Sequence, residues 1–126
     1  MRRLLAALAL LPGLTVTHLA VAQSDPGWVA RPNARLQALD KVTARITIVE
    51  ARVGTPAQFG SLSITVRACN ARPADEVPDA AAWMEITDSR APAGSPPAFQ
   101  GWMFANAPAV NTLEHPVYDI RILECR

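Results

Sequence analysis

Ser61-Leu62-Ser63-Ile64-Thr65-Val66-Arg67-Ala68-Cys69 alternates without a break, with Leu62, Ile64, Val66 and Ala68 on one parity and Ser61, Ser63, Thr65 and Arg67 on the other. A period of two puts successive side chains on opposite faces of an extended chain, so this stretch reads as a β-strand with one buried and one wet face. Upstream, Val42, Ala44, Ile46 and Ile48 alternate with Lys41, Thr43, Arg45 and Thr47. Beyond them Val49, Ala51 and Val53 take over the apolar parity. One extra residue moves every later side chain to the other face, so a β-bulge near Ile48-Val49 is the simplest expectation. Gly54-Thr55-Pro56 opens a loop that closes at Phe59-Gly60, and the two strands are expected to form a hairpin across it. Before them, residues 36–41 are expected to form a short first strand or a turn. Residues 23–35 read as an extended lead-in whose Trp28 tucks against the domain.

Downstream, residues 70–79 form a Pro-broken loop whose acids, Asp75, Glu76 and Asp79, read as a solvated surface. Trp83 to Thr87 suits a strand, although Ala80-Ala81-Ala82 could begin a helical turn. A Pro-rich loop follows over residues 89–97. Phe99-Gln100-Gly101-Trp102-Met103-Phe104 is apolar on both parities and is expected to be buried on both sides or against a partner. Asn106-Ala107-Pro108 carries cap and first-turn residues, predicting one short helix to about Glu114 that Pro116 ends. Val117 to Cys125 then closes the domain with Tyr118, Ile120 and Ile122 on one face. The segment from Phe99 to Cys125 is expected to supply most of the core mass. Five or six short strands with at most one short helix argue an all-β fold, a small β-sandwich or partly open β-barrel.

The front end has a different character. Met1-Arg2-Arg3 precedes an apolar run from Leu4 to Leu11, Pro12-Gly13 breaks it, and Ala20-Val21-Ala22 stands before Gln23. That pattern is a secretory signal peptide, with cleavage expected after Ala22 and a periplasmic destination. The apolar run is shorter than the about 20 residues a bilayer span needs, so no integral membrane segment is expected after cleavage. The organisation is thus residues 1–22 signal peptide, 23–35 lead-in and 36–126 a single β domain. Arg2 and Arg3 leave with the leader, which brings the 12 basic residues close to balance against the 11 acids. A near-neutral chain has no electrostatic footprint for nucleic acid. An exported chain with two cysteines invites a disulfide, here Cys69 with Cys125.

Catalytic equipment is sparse. No G-x-S-x-G, H-E-x-x-H or Gly-rich phosphate loop is present, no C-x-x-C appears, and His115 is the only histidine outside the leader. No catalytic residue, metal site or cofactor is expected. The best enzymatic constellation would be a hydrolase using His115 with Glu114, Asp119 or Asp88. A histidine before a proline more often serves as a structural hydrogen-bonder, and Glu114 more often caps or solvates such a turn. Trp102 and Phe104 share one parity of their strand with Gly101 and Met103 on the other, so one face could carry apolar area outward to a partner; the competing expectation is that all four belong to the core. Trp102, Phe104, Glu114, His115 and Tyr118 together form the candidate interaction or structural motif.

Several stretches together resemble the bacterial family known as domain of unknown function 2155, small exported proteins of Gram-negative bacteria. They are Leu39-Asp40-Lys41-Val42-Thr43-Ala44, Phe59-Gly60-Ser61-Leu62 leading to Arg67-Ala68-Cys69, Ala81-Ala82-Trp83-Met84-Glu85-Ile86, Gly101-Trp102-Met103-Phe104-Ala105, and Leu113-Glu114-His115-Pro116-Val117-Tyr118-Asp119. The resemblance implies placement rather than chemistry. Members are often encoded beside a homologue of a small accessory subunit of respiratory complex I, which implies an envelope or respiratory-chain connection. The expected function is therefore a non-enzymatic periplasmic binding or assembly module of the cell envelope, partnered by another envelope protein. The alternatives are a small-ligand or glycan-binding domain, which would use Trp28 or Trp83 beside polar groups, and the His115 hydrolase.

Overall fold

The computed structural model describes residues 27–126, so the signal-peptide expectation for residues 1–22 lies outside the described residues. Eight strands follow in order: β1 (Val29–Ala30), β2 (Asn33–Asp40), β3 (Arg45–Arg52), β4 (Ala57–Phe59), β5 (Leu62–Ala71), β6 (Ala80–Asp88), β7 (Phe99–Phe104) and β8 (Tyr118–Cys125). They make two antiparallel sheets. In the larger, β5 is flanked by β6 and then β7, while its other edge is shared by β1 and β4. The smaller sheet runs β3-β2-β8.

The deciding strand behaves as its pattern requires. Leu62, Ile64 and Val66 are fully buried, each burial stabilising by about 1.5–3 kcal/mol relative to exposure. A register shift between Val66 and Ala68 then moves Ala68 to the outer face and turns Cys69 inward. Ala82, Met84 and Ile86 of β6 and Met103 of β7 complete that layer. Ala34, Leu36 and Ala38 of β2, with Tyr118, Ile120 and Ile122 of β8, face it from the smaller sheet. The core is thus the seam between two sheets and no barrel closes. Cys69 and Cys125 are joined across that seam by a disulfide with Cα atoms 5.5 Å apart.

Four expectations are corrected. No helix occurs among the described residues: residues 105–117 run as turns, with Ala107 N–H bonded to the Phe104 carbonyl and Val110 N–H to Ala107. The Asn106 side chain does not cap; it donates to the Pro78 carbonyl at 2.8 Å, while its backbone N–H meets Asp79 Oδ1 at 3.0 Å. A segment this short gains too little from helical bonds to outweigh those tertiary ones. The bulge near Ile48-Val49 is absent, because β2 and β3 pair in unbroken register from Asn33 opposite Arg52 to Asp40 opposite Arg45. Val42 and Ala44 instead lie in the turn, which Asp40 Oδ1 holds by accepting from the Val42 and Thr43 amides at 2.9 and 3.1 Å.

The parity change therefore marks a strand whose isoleucines face outward and whose Val49 and Ala51 face the core. The hairpin partner of β5 is likewise β4, through the Gly60-Ser61 turn, whereas β3 pairs with β2 in the other sheet. Last, the core mass comes from both halves of the chain, since Trp102 stands exposed on the outside.

Candidate functional site

The outer face of the larger sheet carries the paired aromatic residues. Parity puts Trp83 and Glu85 of β6 outward, and register sets Trp83 opposite Trp102 of β7 and Glu85 opposite Gln100. On its other side Trp83 faces the small Ala68, and its indole is half-buried. Phe104 continues the same face of β7 and is half-buried, whereas Met103 points into the core. Trp102 is 38% exposed, so Trp102 belongs to the surface and the all-core expectation for the segment fails. Gln100 Nε2 donates to Glu85 Oε2 at 3.4 Å, placing an amide and a carboxylate beside the indoles. The 105–117 loop braces this edge, because Asn111 Nδ2 donates to the Trp102 carbonyl at 2.9 Å. An aromatic pair with a polar border on a sheet face can take an apolar partner surface or the flat face of a sugar ring.

His115 is placed quite differently. Its Nδ1 accepts from the Val117 and Tyr118 amides at 3.0 and 3.1 Å, so the ring proton sits on Nε2 and is donated to Asp88 Oδ2 at 2.8 Å. Both nitrogens are spent on the fold, leaving no free lone pair to take a proton from a nucleophile. Asp88 is held at about 2, below its ordinary 3.8, first by the His115 hydrogen bond and then by the Arg90 amide. The buried Ser61 hydroxyl contributes less than either. The imidazole also stacks on Tyr118 with centroids 5.2 Å apart, Phe59 packs edge-on against that ring at 5.3 Å, and the Lys41 ammonium donates to the His115 carbonyl.

Of the carboxylates open to His115 on sequence grounds, the fold selects Asp88. Asp119 pairs with Arg121 at 3.1 Å, and Glu114 is exposed. The cluster fastens the end of β6 and the start of β8 together. A shallow hollow of about 470 Å³ lies beside it, walled by Ser89, Pro92, Gly94 and Pro116.

A cleft of about 530 Å³ opens at the disulfide end between Arg31, Arg72, Arg126, Glu76, Asp79 and Glu124. Within it Arg72 pairs with Glu76 at 3.9 Å, while Arg126 turns away to Glu50 at 2.9 Å. Trp28 does lean on the domain, but as a stacking partner 4.1 Å from the Arg72 guanidinium carbon, and it stays exposed. Among the described residues no three His, Cys, Asp or Glu side chains gather as a metal ion would need. No helix among them is long and apolar enough to cross a membrane. The disulfide points to an oxidising location outside the cytoplasm.

Sequence reasoning singled out Trp102 and Phe104 and missed their pairing with Trp83, which needed the β6–β7 register; the signal available was only that all three lie in strands.

No solved structure matches the chain. A curated relative, an uncharacterized protein of Rickettsia prowazekii (strain Madrid E), is 30% identical over 95 residues, covering 74% of this chain and 60% of the relative. The chain therefore spans about 60% of the length of that protein. Residues 34–125, from the second residue of β2 to the end of β8, match a family described as uncharacterized protein conserved in bacteria (DUF2155), and it is to this family that the chain belongs.

Proposed function

We propose that the chain is a non-enzymatic, periplasmic binding or assembly module of the cell envelope, serving envelope or respiratory-complex biogenesis and docking another envelope protein through the outer face of its larger sheet. The observation that carries this reading is the Trp83–Trp102 pair, set opposite one another outside the core with Trp102 exposed. Large aromatic side chains left on a surface are a poor use of core material and a good use of interface material. The engagement of both His115 nitrogens and the oxidising compartment implied by the disulfide support it.

The test is site-specific photo-crosslinking from position 100 in envelope extracts, with Trp102→Ala and Trp83→Ala compared against the unaltered chain. A discrete adduct lost in both variants, at an unchanged unfolding midpoint, is the expected result. An adduct indifferent to both substitutions would remove the face from consideration.

A second reading, a glycan-binding face, is favoured by the Gln100–Glu85 pair beside the indoles. Sugar rings bind by stacking their C–H faces on aromatics while adjacent amides and carboxylates bond their hydroxyls. Titration with isolated glycan strands, followed by tryptophan emission, separates the readings: a saturable shift abolished by Trp102→Ala selects the glycan.

A further inference from the structure

The smaller sheet ends on β3, whose outer edge no second strand covers among the described residues. The hydrogen-bond phase of that edge can be read from its neighbours. Val53 N–H bonds the Pro32 carbonyl at 2.9 Å, one step beyond the Asn33–Arg52 pair. In an antiparallel ladder bonded and non-bonded pairs alternate, so Ala51, Val49, Thr47 and Arg45 direct their amides toward β2. Ile46, Ile48 and Glu50 direct theirs outward. The bond of Lys41 N–H to the Val117 carbonyl at 2.8 Å, on the opposite side of β2, fixes the same phase independently.

Natural edge strands are usually blunted by proline, a bulge or an inward-pointing charge. This one has no proline and no bulge, and its one charge on the core-side parity, Arg45, stands exposed at the very start of the strand. Arg45, Ile46, Thr47 and Ile48 are all exposed, on both faces, and Ile46 and Ile48 stand 58% and 42% open on the outer face beside half-buried Leu39.

We propose that β3 pairs antiparallel with β3 of a second copy of this chain, the dyad passing through Thr47, so that two three-stranded sheets become one continuous six-stranded sheet. The occupant follows from self-complementarity. Faces are preserved only if even-numbered residues oppose even-numbered ones, and these are the residues with outward amides. Centring on Thr47 sets Ile46 opposite the partner's Ile48 twice over, each pair exchanging two backbone hydrogen bonds. The four isoleucines then form one apolar strip that the two Leu39 side chains extend.

Thr47 meets its own copy in a close, non-hydrogen-bonded pair, and Arg45 meets Val49 of the partner subunit. No like charges oppose each other, which would disfavour pairing. Moving the centre to Ile48 would instead set Ile46 against Glu50, a carboxylate already engaged by Arg126 at 2.9 Å and Arg35 at 3.6 Å.

The test uses protein recovered from the oxidising compartment of an expressing cell, with the Cys69–Cys125 bond intact. Sedimentation is expected to show a dimer. Ile46→Lys combined with Ile48→Lys, which sets four ammonium groups against one another, should return it to monomer with its far-ultraviolet dichroism unchanged. Thr47→Cys should give a covalent dimer under mild oxidation, linked through position 47 on both copies by peptide mapping. A chain that sediments as a monomer up to roughly 100 µM, or a dimer that survives the paired lysine substitutions with its fold intact, overturns the proposal. So does a dimer that Thr47→Cys fails to link, since that places the dyad elsewhere.

Discussion

At the scale of single residues, the molecule depends on a knot around Tyr118. Gly60 turns the chain between β4 and β5 at φ 56, and a Cβ at that position would collide with the hydroxyl end of the Tyr118 ring. Gly60→Ala combines a left-handed backbone cost of about 1 kcal/mol with overpacking of about 1–3 kcal/mol. Its urea unfolding midpoint is expected to fall accordingly, and an unchanged midpoint would mean the phenol swings clear at no cost. Asp88 gives the second prediction. A carboxylate held at about 2 instead of 3.8 favours the folded state at every pH above 3.8 and loses that contribution as the pH falls through about 2. Asp88→Asn should therefore lower stability at neutral pH and flatten the acid limb between those two values, read by thermal unfolding across a pH series. That His115 would serve as a hydrogen-bonder at this junction was legible from its place before Pro116. Which carboxylate it would choose was not, because Asp88 is 27 positions away and comes near only when β6 and β8 pack.

At the scale of elements, period-two alternation identified the strands and misjudged one face. In β5 and β8 the apolar parity is the buried parity, since that face of each is covered by the opposite sheet. In β3 the rule inverts: Ile46 and Ile48 look outward while Val49 and Ala51 look in. A repeat of two says that the faces differ, and only neighbours say which face is covered. The helix expected after Asn106 fails for a related reason, since local cap residues were claimed by the distant carbonyl of Pro78 and carboxylate of Asp79. The disulfide succeeded because two cysteines permit one pairing. It ties β5 of one sheet to β8 of the other across a sequence separation of 56, which in the chain-entropy view stabilises by about 4 kcal/mol. Reduction should lower the denaturant midpoint by a corresponding amount, measured with and without a thiol reductant, and a midpoint unmoved by full reduction would show that the two sheets hold without the bond.

At the scale of the whole molecule, the two sheets bury a seam of aliphatic side chains and leave their outer faces to other uses. The consequence is a sharp contrast between substitutions. Met84→Ala, in the seam, is expected to cost about 2–5 kcal/mol. Trp102→Ala, on the outer face, should move the calorimetric midpoint little despite removing a far larger side chain. Equal losses would place Trp102 in the core after all. From sequence alone came the all-β class, the positions of β5, β7 and β8 and the single possible cysteine pairing, because alternation, turn residues and pairing arithmetic are local or countable properties. The tertiary structure alone decided that β3 left β5 for β2, that Trp83 and Trp102 meet on an outer surface, and that Asp88 is the partner of His115. Each of these depends on which strands become neighbours, and that is settled by the free energy of the packed sheets together rather than by any one strand's pattern.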